Sequence, residues 1–243
     1  MRFAAWWGVV LAAVAAVAAV AAVAVAAPLP DLPLHGRIRY VVVRGDGNFE
    51  LGRAIHEWQR DGKHYVLSST TQATGLLALL KPAKIVQRSE GQMADGGLRP
   101  DTFLYDRGDG DAERVHFDWE AKKATFRQGD PAALEGQVED TLSMFYQLSL
   151  LPPRSEAMVI PVATGRKVER YKFNWLGEEP VALKAGRFDA WHVRIVPVTG
   201  GDTTEVWLGK SVAGLPIKIR FTDRKGGVIE QLAEEIDFEG KQK

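Results

Sequence analysis

Ile217-Lys218-Ile219-Arg220-Phe221-Thr222 alternates apolar and polar side chains without an error. That period of two belongs to a β-strand with one face buried and the other in water, and so to an antiparallel sheet. Working outward, the same signature recurs. Tyr171, Phe173 and Trp175 share one face, as do Trp191, Val193 and Ile195. Val115, Phe117 and Trp119 alternate with His116 and Asp118, and a short turn leads on to Ala124-Thr125-Phe126. Nearer the N-terminus, Ile38 to Arg44, Phe49 to Gln59 and Tyr65 to Thr74 are separated by Gly45-Asp46-Gly47-Asn48 and Asp61-Gly62, which are hairpin turn residues. Consecutive strands joined by short turns make a meander.

Two segments depart from the pattern. Leu76 to Leu80 is an apolar run too short to assign between a helical turn and a tucked loop. Leu134, Val138, Leu142 and Phe145 fall at i, i+4, i+8 and i+11, which predicts an amphipathic helix from about Ala133 to Leu151, stopped by Pro152-Pro153. The expected fold is mainly β: a curved antiparallel meander or incomplete barrel with one covering amphipathic helix.

The chain has 243 residues, no net charge and no cysteine. Its length suits an apolar leader plus one domain, assigned to residues 35–243. Balanced, dispersed charges offer no basic stripe for nucleic acid. The lack of cysteine excludes disulfides, thiolate metal sites, a cysteine nucleophile and a lipidated cysteine. Residues 1–27 comprise Arg2 and an uncharged, Ala- and Val-rich run ending in Ala24-Val25-Ala26. This is the anatomy of a secretory signal, although the run is also long enough for a retained membrane anchor. Either outcome predicts a periplasmic domain, with membrane contact through residues 3–27 if the segment is uncleaved. Residues 28–34, rich in proline, read as a stiff linker.

Several strings resemble an exported proteobacterial family known as domain of unknown function 3108. They are Gly97-Leu98-Arg99-Pro100 with Phe103 and Arg107, Phe117-Asp118-Trp119, Asp140-Thr141-Leu142-Ser143 with Tyr146-Gln147-Leu148, and Glu205-Val206-Trp207-Leu208 leading to Leu215-Pro216-Ile217-Lys218-Ile219. The resemblance implies motif positions at Arg99, Pro100, Asp118, Asp140, Ser143 and Pro216, and no catalytic residues. The order of hairpins, helix and hairpins is also similar to periplasmic carriers of lipoproteins, an analogy of fold alone.

The candidate sites divide the same way. His56 and His64 flank one hairpin and could face each other near Glu57, but a metal site wants about four ligands, so no metal and no cofactor is expected. No G-x-S-x-G elbow surrounds Ser143, Ser68 or Ser69. Asp118 and Asp140 form the best carboxylate pair for acid–base chemistry; the structural alternative has Asp140 stabilising helical geometry or hydrogen-bonding a strand amide, and Asp118 paired with an arginine such as Arg99. No enzymatic activity is expected. Trp58, Trp119, Trp175, Trp191 and Trp207, with Leu142, either line a concave pocket for a lipid, acyl chain or glycan precursor or fill the core. Two readings follow: an apolar-ligand binding module, and a structural or assembly factor with no small-molecule ligand that docks on an envelope protein partner through an edge strand or the Pro28 to Pro33 linker.

Overall fold

The computed structural model describes residues 32–45, 49–75, 78, 84–94 and 97–239. Residues 1–27, read from the sequence as a secretory signal or membrane anchor, and most of the run from Leu76 to Leu80 lie outside the described residues. One mixed sheet of fifteen strands carries the chain. Its first arm comprises β1 (His35–Arg44), β2 (Phe49–Asp61), β3 (His64–Ala73), β4 (Lys84–Ala94), β5 (Gly97–Asp106), β6 (Glu113–Asp118), β7 (Lys123–Phe126) and β8 (Ala132–Ala133). The second comprises β9 (Glu139–Asp140), β10 (Met158–Ala163), β11 (Val168–Leu183), β12 (Gly186–Pro197), β13 (Thr203–Gly209), β14 (Leu215–Thr222) and β15 (Val228–Phe238). The arms join where β1 pairs with β15, and every pairing is antiparallel except β9 with β10.

The sheet edges, β8 and β9, are neighbours in sequence, joined by residues 134–138, so the sheet curls into a barrel that stops short of closing. Across that seam Arg166 Nε donates to buried Glu113 at 2.8 Å, tying the β10–β11 turn to β6. Bulges at Arg39/Tyr40, Glu90/Gly91, Trp175/Gly177 and Trp207/Leu208 supply local twist and curvature. Gly91 is obligatory at its bulge, because a Cβ there would stand 2.1 Å from the Arg99 carbonyl oxygen.

The predicted alternation holds on β14: Ile217 and Ile219 are buried, while Lys218 and Arg220 stay partly in water on the outer face. Ile38, Tyr40 and Val42 of β1 and Ala54, His56 and Trp58 of β2 complete the inner surface across the pairing of these strands.

The helix is much shorter than its sequence spacing predicts. It comprises α1 (Ser143–Gln147) and a 3₁₀ turn at Leu148–Leu150. Gly136 breaks the expected helix with φ +69°, and Glu139–Asp140 is drawn into strand pairing with Val162 and Ala163. Leu134, Val138, Leu142 and Phe145 are nevertheless all buried. Their spacing records burial, with the first pair delivered by the connection across the seam. The linker is also shorter than expected: Leu32 is fully buried, and Pro33 accepts a hydrogen bond from Trp58 Nε1 at 3.0 Å.

Candidate functional site

All five residues of α1 are buried, so the helix is a plug on the inner face of the barrel. Its start is organised by Asp140, whose Oδ1 accepts the Leu142 and Ser143 amides at 2.8 Å each and whose Oδ2 accepts Ser89 Oγ of β4 at 2.5 Å. Ser143 Oγ accepts the Asp140 amide at 2.9 Å and lies 2.7 Å from Glu139 Oε2, and Gln137 Nε2 donates to Glu139 Oε1 at 2.9 Å. Burial pushes the Glu139 carboxyl up to about 8 and the Asp140 carboxyl to about 6, the latter restrained by donors from Ser89, Ser143 and Leu142. Those donors favour the charged form of Asp140 and leave Glu139 the proton near neutrality.

The rest of the plug is held by the same kind of contact. Gln147 Oε1 accepts the Leu98 amide at 2.7 Å, and a Cβ on Gly97 (φ +125°) would lie 2.1 Å from that oxygen. Ser149 Oγ donates to the Gly214 carbonyl at 2.7 Å, Phe145 meets Phe221 edge-on, and Tyr146 packs between His56 and Trp58. Tyr40 hydroxyl donates to the Pro216 carbonyl at 2.6 Å. The strings around Gly97, Asp140 and Tyr146 thus meet each other physically, and what they encode is the docking of α1. Tyr146 hydroxyl is buried with no hydrogen-bond partner among the described residues. Replacing Tyr146 by Phe should therefore raise stability by about 1 kcal/mol, or roughly 2–4 °C in Tm by thermal denaturation.

Asp118 and Asp140 are not partners. Asp118 is exposed and caps its own turn by accepting the Ala121 amide at 2.8 Å, whereas the carboxylate next to Asp140 is Glu139. Arg99 places its guanidinium 5.6 Å over Trp119, whose Nε1 donates to the Pro100 carbonyl at 2.7 Å. His56 and His64 are not brought together: His56 opposes Ser69 and is buried, while exposed His64 opposes Asp61. Burial lowers His56 to about 4.

The five tryptophans do not share one pocket. Trp58 packs in the core beside the plug, and Trp119 sits at the end of β6. Trp207 faces outward, because it opposes Lys218, yet it is only 3% exposed. His192 stacks on it at 4.2 Å, Lys218 and Arg220 lie over the ring, and Glu179 accepts its indole N–H. Trp175 and Trp191 do meet, edge-on at 6.5 Å, beside the bulge at Gly177. They share a surface cavity of about 630 Å³ with Pro153, Arg154, Ser155, Leu176 and Glu178, and Leu176 is 46% exposed. This rim was not separable from core in the sequence, because strand period alone does not show where a bulge opens a sheet.

Fold and site together define a class: an incompletely closed β-barrel with a short helix buried against its inner face. The chain belongs to the family described as "Protein of unknown function (DUF3108)", whose model matches residues 37–232. No curated protein matches the sequence. Among solved structures, it is similar to the β-barrel-like protein of domain of unknown function DUF1849 from Brucella abortus, at 11% identity, a TM-score of 0.57, and coverage of 85% of this chain and 98% of that one. A candidate exported protein with a YmcC-like fold from Bacteroides fragilis is similar at 10% identity, a TM-score of 0.36, and coverage of 86% and 97%.

Proposed function

We propose that the protein is a non-enzymatic component of the cell envelope that takes the apolar end of an amphipathic molecule at the rim, between Trp175 and Trp191. The observation that carries this reading is the juxtaposition of two inward-facing indoles with exposed Leu176 in one open cavity. Pockets that bury apolar ligands pair such walls with a few polar groups, here Arg154, Ser155 and Glu178. The apolar run of residues 3–27 supports a periplasmic setting.

Leu176→Asp is the cleanest test, since the side chain is already exposed and its replacement leaves the core untouched. The chain from Pro28 onward should shift its tryptophan emission on titration with a long-chain acyl probe. The variant should bind at least tenfold more weakly with its Tm within about 2 °C of the parent. An unchanged titration curve would refute the rim assignment.

A second reading, an assembly factor with no small-molecule ligand, is favoured by the buried plug, which occupies the inner surface where a carrier would hold its cargo. It predicts no acyl-dependent change in either protein.

A further inference from the structure

The outer faces of β12 to β15 and of β4 to β7 differ in how they balance charge. On the second arm, Lys218 and Arg220 converge on Glu230, Arg194 pairs with Glu205, and Lys210 pairs with Glu178. On the first arm, β4 to β7 form a groove of about 490 Å³ bordered by Arg88, Arg114, Arg127 and His116. One carboxylate, Glu90, lies among them, and it is bound to Arg88. Arg127 donates to the Ala112 carbonyl, which leaves its charge uncompensated, and Arg114 and His116 have no charged partner among the described residues.

Register places these groups in a grid. Arg88 stands opposite Leu104 and Leu104 opposite Arg114; Thr102 stands opposite His116 and His116 opposite Thr125. With strands about 4.8 Å apart, the cations spread across ~14 Å around the hydroxyls of Thr102 and Thr125. A single small anion would want its cations converging on one point, and none of these arginines is buried. A bilayer would want an apolar side chain to insert, yet none of the exposed large hydrophobics of the described residues borders the groove. Its two phenylalanines, Phe103 and Phe126, are buried and half-buried, and it has no tryptophan or tyrosine, so it presents no exposed ring of these kinds on which a nucleobase could stack.

We infer that this groove binds an acidic polysaccharide chain, its carboxylates or sulfates spanning Arg88, Arg114 and Arg127 and its hydroxyls meeting Thr102 and Thr125. The site is separate from the tryptophan rim and does not depend on it.

The test uses the full chain in a non-ionic detergent, titrated by fluorescence anisotropy with labelled polygalacturonate, and with neutral dextran of matched length. Polygalacturonate should bind, dextran should not, and 0.5 M NaCl should abolish the signal because exposed pairs are screened. Arg114→Gln with Arg127→Gln should weaken binding about tenfold, at unchanged Tm. Arg187→Gln with Lys225→Gln, on exposed positions outside the groove, should leave it unchanged. Equal losses in both double variants, no binding, or displacement of the glycan by phosphatidylglycerol micelles at equal charge would each overturn the inference. Leu176→Asp should bind the glycan normally, so this result and that at the rim fail independently.

Discussion

Leu142→Asp is expected to abolish folding. Leu142 is fully buried, and its amide donates to Asp140, so the substitution would set a third carboxylate beside Glu139 and Asp140 where no cation among the described residues pairs with them. Burying an unpaired charge costs several kcal/mol against a total stability of about 5–15 kcal/mol. Circular dichroism should show loss of the near-ultraviolet signal, and limited proteolysis should degrade the chain at temperatures where the parent resists. Leu142→Ala is the graded version, expected to lose about 2–5 kcal/mol while still folding. Because α1 is a plug and the rim lies elsewhere, acyl binding per folded molecule should be unchanged in Leu142→Ala. A gate would instead change its uptake.

The second large effect is a fall in stability with rising pH, carried by Glu139. Its folded pKa, near 8, lies above its unfolded value, so between those values the unfolded state binds fewer protons and stability drops as pH rises. Asp140, raised to about 6, works in the same direction over a lower window. His56, lowered to about 4, works oppositely: stability rises with pH from about 4 to its unfolded value near 6.5. The contributions overlap below pH 6.5 and separate above it. Between pH 6.5 and 8 only the Glu139 slope remains among these three, up to about 1.4 kcal/mol per pH unit, or about 2 kcal/mol in all. Urea denaturation at pH 6.5 and 8 should show that loss. Glu139→Gln keeps an acceptor for Gln137 and can turn its amide N–H to Ser143 Oγ, reversing the bond that Ser143 donates to Glu139, so it should flatten the slope and leave the variant more stable than the parent at pH 8. A parent profile flat across this window would mean that Glu139 is not held protonated.

The strands were legible in the sequence wherever one face is wet. Ile217, Ile219 and Phe221, or Val115 and Phe117, announce themselves because their neighbours are polar. Less legible were Lys84–Ala94, where Arg88, Ser89 and Glu90 interrupt any apolar alternation because the inner residue, Ser89, serves a carboxylate rather than the core. The helix was overread because Leu134 and Val138 reach the core from a connection that bends at Gly136; burial from two directions mimicked a helical period. Of the candidate residues, Asp140 was visible and its true companion, Glu139, was not, since nothing in a single sequence distinguishes a buried glutamate from a solvated one. Trp207 shows the converse limit: an aromatic residue at a wet-face position is buried there by His192, Lys218 and Arg220, a cover that only the register between three strands creates.

The most direct test of the central claim is a crystal structure of the chain from Pro28 onward grown with a saturating long-chain amphiphile. The rim assignment predicts ordered acyl density against Trp175 and Trp191, reaching toward Pro153, with α1 still bound to Ser89 and Leu98 through Asp140 and Gln147. Density inside the barrel with α1 displaced, or an empty rim at saturation, would contradict it.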